Sequence, residues 1–184
     1  MQFAKIRKND TLFVENLVSE LDIHHGIFID IFPLDNIKPN TIGGFFQQKI
    51  MYILGRMNVL RSKKICLNTN NPFAKTIRII CHYIVKIIPN SFLNRLQTRV
   101  ACLFQNKETK YVTHLTNGAS KIRYNKYMQE KKKFYNITNG LFEGMKIPIP
   151  ENHHFVLTNL FGDYMKLPPN EERQPHHGII EIKL

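Results

Sequence analysis

Between Gly26 and Pro33 the chain runs through Ile27, Phe28, Ile29, Ile31 and Phe32 with one polar interruption, Asp30. An apolar run of that length suits a strand covered on both faces, and the two-residue period puts Asp30 on the side of Phe28 and Phe32. A carboxylate there is costly unless a cation, a metal or several hydrogen bonds offset its charge. Satisfaction by neighbouring backbone amides is the plain reading, and a functional site is the competing one. Upstream, residues 2–7 alternate as a short strand does, residues 8–11 read as a turn, and residues 11–14 are expected to return as a hairpin partner. Residues 15–25 read as polar loop.

Beyond a loop at 39–44 the period becomes helical. The first helix is expected over about 45–64, with Lys49, Arg56 and Arg61 outward and Gly55 weakening its middle. Asn71 and Pro72 supply a cap and a first helical residue for a second helix reaching Ile88. Its polar residues Arg78, His82 and Lys86 recur every fourth position, opposite Ile77, Ile80, Cys81, Ile84, Val85 and Ile88, so the polar stripe is expected outward. Pro89 stops it, and Asn90 or Ser91 caps a third helix to about Phe104. A basic stripe is usually a solvated face; the functional alternative is a surface for lipid phosphates or a polyanion. Residues 111–116 alternate as a strand closed by an Asn117-Gly118 turn, and residues 121–133 mix lysines with Tyr124, Tyr127 and Met128. That mixture occurs in nucleic-acid binders, but no nucleic-acid-reading motif accompanies it. Strand-like pieces at 134–150, a helix from 151 or 152 to about 165, a polar loop and a last strand at 179–184 complete the pattern.

Composition changes this picture in two ways. With 184 residues and 43% hydrophobic content the chain suffices for one ordinary domain, and 26 Lys and Arg against 14 Asp and Glu give a charge of +12 that favours anionic partners. Cys66, Cys81 and Cys102 are odd in number and set among apolar residues, as expected of buried thiols in a reducing compartment. No apolar block follows the basic start as in a secretory signal, and the run at 77–89 is too short and too charged to span a bilayer. A cytoplasmic location is expected, with peripheral contact with the cytoplasmic membrane face.

Candidate chemistry is sparse. The pairs His24-His25, His153-His154 and His176-His177 lack the spacing of a zinc site, and neither a glycine-rich phosphate loop, a serine elbow nor a Cys/His dyad is legible. Asp30, Asp35, Lys5, Arg7 and the segment 163–177 remain. Here the residues become familiar. Asp22-Ile-His-His-Gly-Ile-Phe-Ile-Asp-Ile-Phe-Pro-Leu-Asp35 resembles the central motif of the LicD family of phosphocholine transferases. Phe142-Glu-Gly, Pro148-Ile-Pro150 and Phe161-Gly-Asp-Tyr-Met-Lys-Leu-Pro-Pro-Asn-Glu-Glu-Arg173, followed by His176-His177, resemble that family's carboxy-terminal block in order and spacing. The opening Phe3-Ala-Lys-Ile-Arg7 fits the stretch that precedes the aspartate motif.

The resemblance implies an α/β (α+β) fold: an incomplete nucleotidyltransferase-like core with a small mixed sheet and a largely helical insert at about 40–133, in a single, amino-terminally truncated domain. It also implies transfer of phosphocholine or a similar group from a nucleotide-activated donor such as CDP-choline to a glycan acceptor of the lipopolysaccharide or teichoic acid kind. A divalent ion, Mg²⁺ or Mn²⁺, would hold the donor phosphates. By the same resemblance Asp30 is the catalytic metal ligand, and Lys5, Arg7, Lys166 and Arg173 face phosphate or carboxylate groups. His25, Asp35, Asp163, Tyr164, His176 and His177 shape the site or bind substrate. One departure matters: the family's upstream segment, of the form Gly-Phe-Ile-Pro-Trp-Asp-Asp-Asp-Ile-Asp, is missing, the chain has no tryptophan, and no Asp-x-Asp pair replaces it. Inactivity of the chain alone is therefore expected. The alternative is a non-catalytic basic module for phosphopolymer, membrane phosphates or nucleic acid, with no specific nucleic acid sequence read.

Overall fold

The computed structural model describes residues 3–62, 66–118, 121–173 and 178–183. In chain order the elements are β1 (Ala4–Arg7), β2 (Leu12–Glu15), β3 (Phe28–Ile31), β4 (Asp35–Ile37), α1 (Ile42–Leu60), α2 (Pro72–Ile87) and α3 (Asn90–Ala101). Then come β5 (Tyr111–Thr113), α4 (Leu115–Gly118), α5 (Lys121–Tyr127), β6 (Gln129–Glu130), α6 (Lys131–Tyr135), β7 (Ile137–Phe142), β8 (Met145–Pro150), α7 (His153–Phe161) and β9 (Ile179–Lys183). Helices and small sheets alternate, as the α/β class expected from the sequence requires. The described strands pair in five antiparallel ladders that make four small sheets. The chain divides into two units, residues 1–33 with 165–184, and residues 34–164.

The first unit holds two ladders. The expected hairpin of β1 with β2 does not form: β1 pairs with β3, and β2 with β9 at the far end of the sequence. Gly26 allows this. Its carbonyl accepts from Arg7 Nη1 at 3.1 Å, Ile27 exchanges bonds with Lys8 and Thr11, and a Cβ on Gly26 would lie 2.2 Å from the Lys8 carbonyl oxygen. Only glycine permits so close an approach of two backbones. The expectation that β3 is covered on both faces is overturned, since Ile29 is 70% and Ile31 47% exposed while Phe28 and Asp30 are half-buried. The apolar run is continuous, but the strand has one neighbour and one covered face.

The second unit carries the buried core. Ile37, Met51, Ala101, Leu115 and Tyr124 form one cluster, and Leu54, Val85 and Leu93 a second where the three long helices meet. Thr41 Oγ1 accepts from the Gly44 amide to cap α1, and Asn71 Oδ1 accepts from the Phe73 and Ala74 amides to cap α2, as its sequence predicts. At the third helix Asn90 is already helical and Pro89 holds the cap position without a side-chain bond. Gln47, fully buried, donates through Nε2 towards the carbonyls of Asn36, Val100 and Ala101 at 3.1–3.3 Å, binding α1 to β4 and the end of α3.

Helix α2 is turned from its expected orientation: Val85 and Ile88 pack inward and Lys86 is exposed as expected, but His82 and the isoleucines change places. His82 is 2% exposed and its Nδ1 lies 2.8 Å from the Leu60 carbonyl, while Val85 is buried beside Leu93. Arg61 reinforces this seating by donating to the carbonyls of Val85 and Ile88 at 2.9 and 2.7 Å, at the carboxy-terminal end of the helix. Ile77, Ile80 and Ile84 point outward instead. A polar group on a helix can enter a core when it finds a carbonyl there, and periodicity alone cannot see that partner.

Elsewhere the differences are local. The strand at 111–116 ends at Thr113 and turns into the short α4, and the last helix stops at Phe161, where Gly162 adopts φ +72°. The pieces at 134–150 form a β7–β8 hairpin whose two-residue loop, Glu143-Gly144, has positive φ at both positions, as a type I′ turn requires. Tyr124 belongs to the core, and burial pushes its hydroxyl up to about 12. Of the cysteines only Cys66 is buried; Cys81 is intermediate and Cys102 exposed, because their helices turn those faces outward.

Candidate functional site

The β1–β3 ladder brings three of the predicted residues together. Lys5 and Asp30 are direct cross-strand partners, and Arg7 pairs with Phe28 two positions along on the same face. Lys5 Nζ lies 3.0 Å from Asp30 Oδ1 and 3.3 Å from the centroid of the Phe28 ring, and the Arg7 guanidinium is 5.1 Å from the same ring. Phe28 itself meets Phe13 of β2 edge-on. Two cations therefore share one aromatic face beside one carboxylate, which favours them through the ring quadrupole and leaves the ladder with net positive charge. Asp30 Oδ1 is sealed from solvent and has no hydrogen bond of good alignment, so the ammonium offsets it by charge rather than by an aligned bond.

The remaining sequence candidates are distributed. His25 precedes β3, with Nε2 3.2 Å from the Leu21 carbonyl and Nδ1 buried without a hydrogen bond. Lys166 and Arg173 belong to the same unit as Asp30, exposed, and Arg173 Nε donates to the Pro168 carbonyl at 2.8 Å. His176 and His177 lie outside the described residues. Asp35, Asp163 and Tyr164 belong to the other unit. Asp163 is exposed after α7, while the Tyr164 hydroxyl lies 2.9 Å from His154 Nδ1.

Asp35 sits in β4 opposite Thr113 and accepts from the Leu115 amide at 3.4 Å; burial outweighs that bond and raises its carboxyl to about 6. His114, which follows β5, bonds Thr116 through Nε2, and burial lowers its imidazole below the ordinary value. These are groups that titrate because the second unit's core desolvates them.

Sequence reasoning missed Phe28 as the platform for the two cations, and His154 as the partner of Tyr164. The first was recoverable: Phe28 shares the Asp30 face by period two. The second depends on how α7 and the turn after it fold back, which no local pattern encodes.

The donor set is a direct test of the expected metal. Asp30 is one carboxylate already neutralised by Lys5, and among the described residues no group of three His, Cys, Asp or Glu side chains gathers to hold an ion. Mg²⁺ takes oxygen ligands, commonly one or two carboxylates. By themselves these residues do not fit it. No helix among the described residues is long and apolar enough to cross a membrane.

An α/β chain carrying both the Asp22–Asp35 motif and the Phe161–Arg173 block resembles the LicD transferases. It is 26% identical over 156 residues, 82% of its length, to the lipopolysaccharide cholinephosphotransferase LicD of Haemophilus influenzae. This match bears out the resemblance read from the motifs and supports membership in the LicD family. The chain spans 55% of that relative's length. No family model matches the chain, and no solved structure does.

Proposed function

We propose that this chain is the phosphate-facing part of a LicD-like transferase, which moves phosphocholine or a similar group from a nucleotide-activated donor such as CDP-choline to a cell-surface glycan. The similarity to a cholinephosphotransferase over most of the chain carries this reading, and the β1–β3 ladder gives it a physical basis. Lys5 and Arg7, held on one face by Phe28, present two cations where anionic phosphate oxygens are stabilised. Asp30 fixes Lys5 in place and is the group through which the ladder would meet any further carboxylates. A Mg²⁺ or Mn²⁺ ion expected from the family needs ligands beyond Asp30, so the 184 residues alone are proposed to be inactive.

The test measures release of CMP from CDP-choline by the chain alone and by a protein in which the acidic segment typical of LicD proteins is joined upstream of Phe3. The joined protein is expected to turn over, with loss of about tenfold or more on Lys5→Met or Asp30→Asn. Equal turnover with either substitution would remove the ladder from the site. Salt-sensitive binding of CDP-choline without turnover by the joined protein would favour the binding module instead.

A further inference from the structure

The outward face of α2 carries Phe73, Ile77, Ile80, Ile84 and Ile87, spaced four, three, four and three residues apart, each between 45% and 82% exposed. This spacing keeps the five side chains on a single stripe along the helix. The opposite face is already occupied: His82 and Val85 are buried against α1 and α3, and Arg61 holds the helix end. The stripe is thus a second apolar face on a helix that has used its first. Lys75 and Lys86, both exposed, lie on the other side of the helix, nearer His82.

Charge identifies the occupant. Between Asp35 and Glu108 the sequence contains twelve Lys and Arg and no Asp or Glu at all, so the three long helices carry positive charge without a single carboxylate to offset it. Acidic residues are instead concentrated outside this stretch. An apolar stripe in a basic, acid-free region matches the acyl boundary and headgroups of an anionic bilayer, where apolar burial and electrostatic attraction add. A protein partner of ordinary surface composition would not select against every carboxylate over so long a stretch.

We propose that the Phe73–Ile87 face of α2 docks the protein on an anionic membrane surface, the helix lying in the plane of the interface. The proposal is independent of the transfer reaction. It is tested by flotation of the 184-residue chain with phosphatidylcholine vesicles, with and without about one-third phosphatidylglycerol. Binding is expected only to the anionic vesicles, weakened by salt, and lowered about tenfold or more by Ile80→Gln with Ile84→Gln. Because the chain has no tryptophan, Phe73→Trp gives a background-free second readout, and its emission is expected to shift to shorter wavelength on the anionic vesicles. This readout stands even if the double variant fails to fold. Absence of binding, binding undiminished in the folded double variant, or unchanged Phe73→Trp emission would overturn the proposal. So would a dimer in sedimentation that the double substitution dissolves without any vesicle binding, which would assign the face to a second copy.

Discussion

Replacing Asp30 by Asn keeps the shape of the side chain and removes its charge, and replacing Lys5 by Met keeps the stem over Phe28 while removing the ammonium. At 3.0 Å, with side chains 28% and 15% exposed, the pair lies between a surface and a buried ion pair. The Coulomb attraction at an effective dielectric of about 80 to 20 is roughly 1.4 to 5.5 kcal/mol, and desolvation with side-chain ordering removes much of it. A net coupling of about 1–2 kcal/mol remains. The cation–π contact of Lys5 with Phe28, about 0.5–1 kcal/mol, appears in the Lys5 single variant and cancels in the double-mutant cycle. Amide hydrogen exchange of β1 and β3 is the suitable assay, because it reads opening of this ladder separately from the helical unit. Each single variant is expected to speed exchange there about fivefold to thirtyfold, and the double variant to fall short of the product of the two. Exchange rates that multiply, with coupling under about 0.3 kcal/mol, would show that Lys5 does not hold Asp30. Millimolar Mg²⁺ slowing exchange in the wild type but not in Asp30→Asn would show that the carboxylate prefers a metal to the lysine.

Three further outcomes follow from the structure. Asp35, raised from 3.8 to about 6, binds a proton more tightly folded than unfolded, so its contribution to stability is full below pH 4 and is lost as pH rises through 6. With a discount for partial exposure the loss is about 1–2 kcal/mol; Asp35→Asn should raise the unfolding midpoint relative to wild type at pH 7 but not at pH 4, and an equal effect at both would refute the burial argument. His82→Ala should cost about 2–3 kcal/mol in thermal unfolding, and Ile84→Gln within about 0.5 kcal/mol, the reverse of what an outward polar stripe requires. Gly26→Ala should destabilise the first unit by about 1–3 kcal/mol, read as faster exchange of the Lys8 and Ile27 amides, because its Cβ would meet the Lys8 carbonyl.

The sequence by itself determined the features that depend on neighbours along the chain. Asn71 starts α2 by accepting from the next two free amides with Pro72 at the first helical position, Glu143-Gly144 closes β7 on β8 because its two residues accept positive φ, and the two motifs carry the LicD resemblance by identity and order. The tertiary structure alone decided which strand faces which and which side of each helix is inside. Residues 4–7 and 12–15 are near neighbours in sequence yet pair with the distant β3 and β9, because Gly26 lets the backbones approach where a local turn would have given a hairpin. His82 is inside because the Leu60 carbonyl and Arg61 receive the end of α2, and that places the isoleucines, equally apolar, on the outside. Asp30 was legible as a carboxylate in need of compensation. That the compensation is Lys5, with Phe28 beneath it, follows from strand register, a long-range quantity fixed by packing rather than by any local pattern.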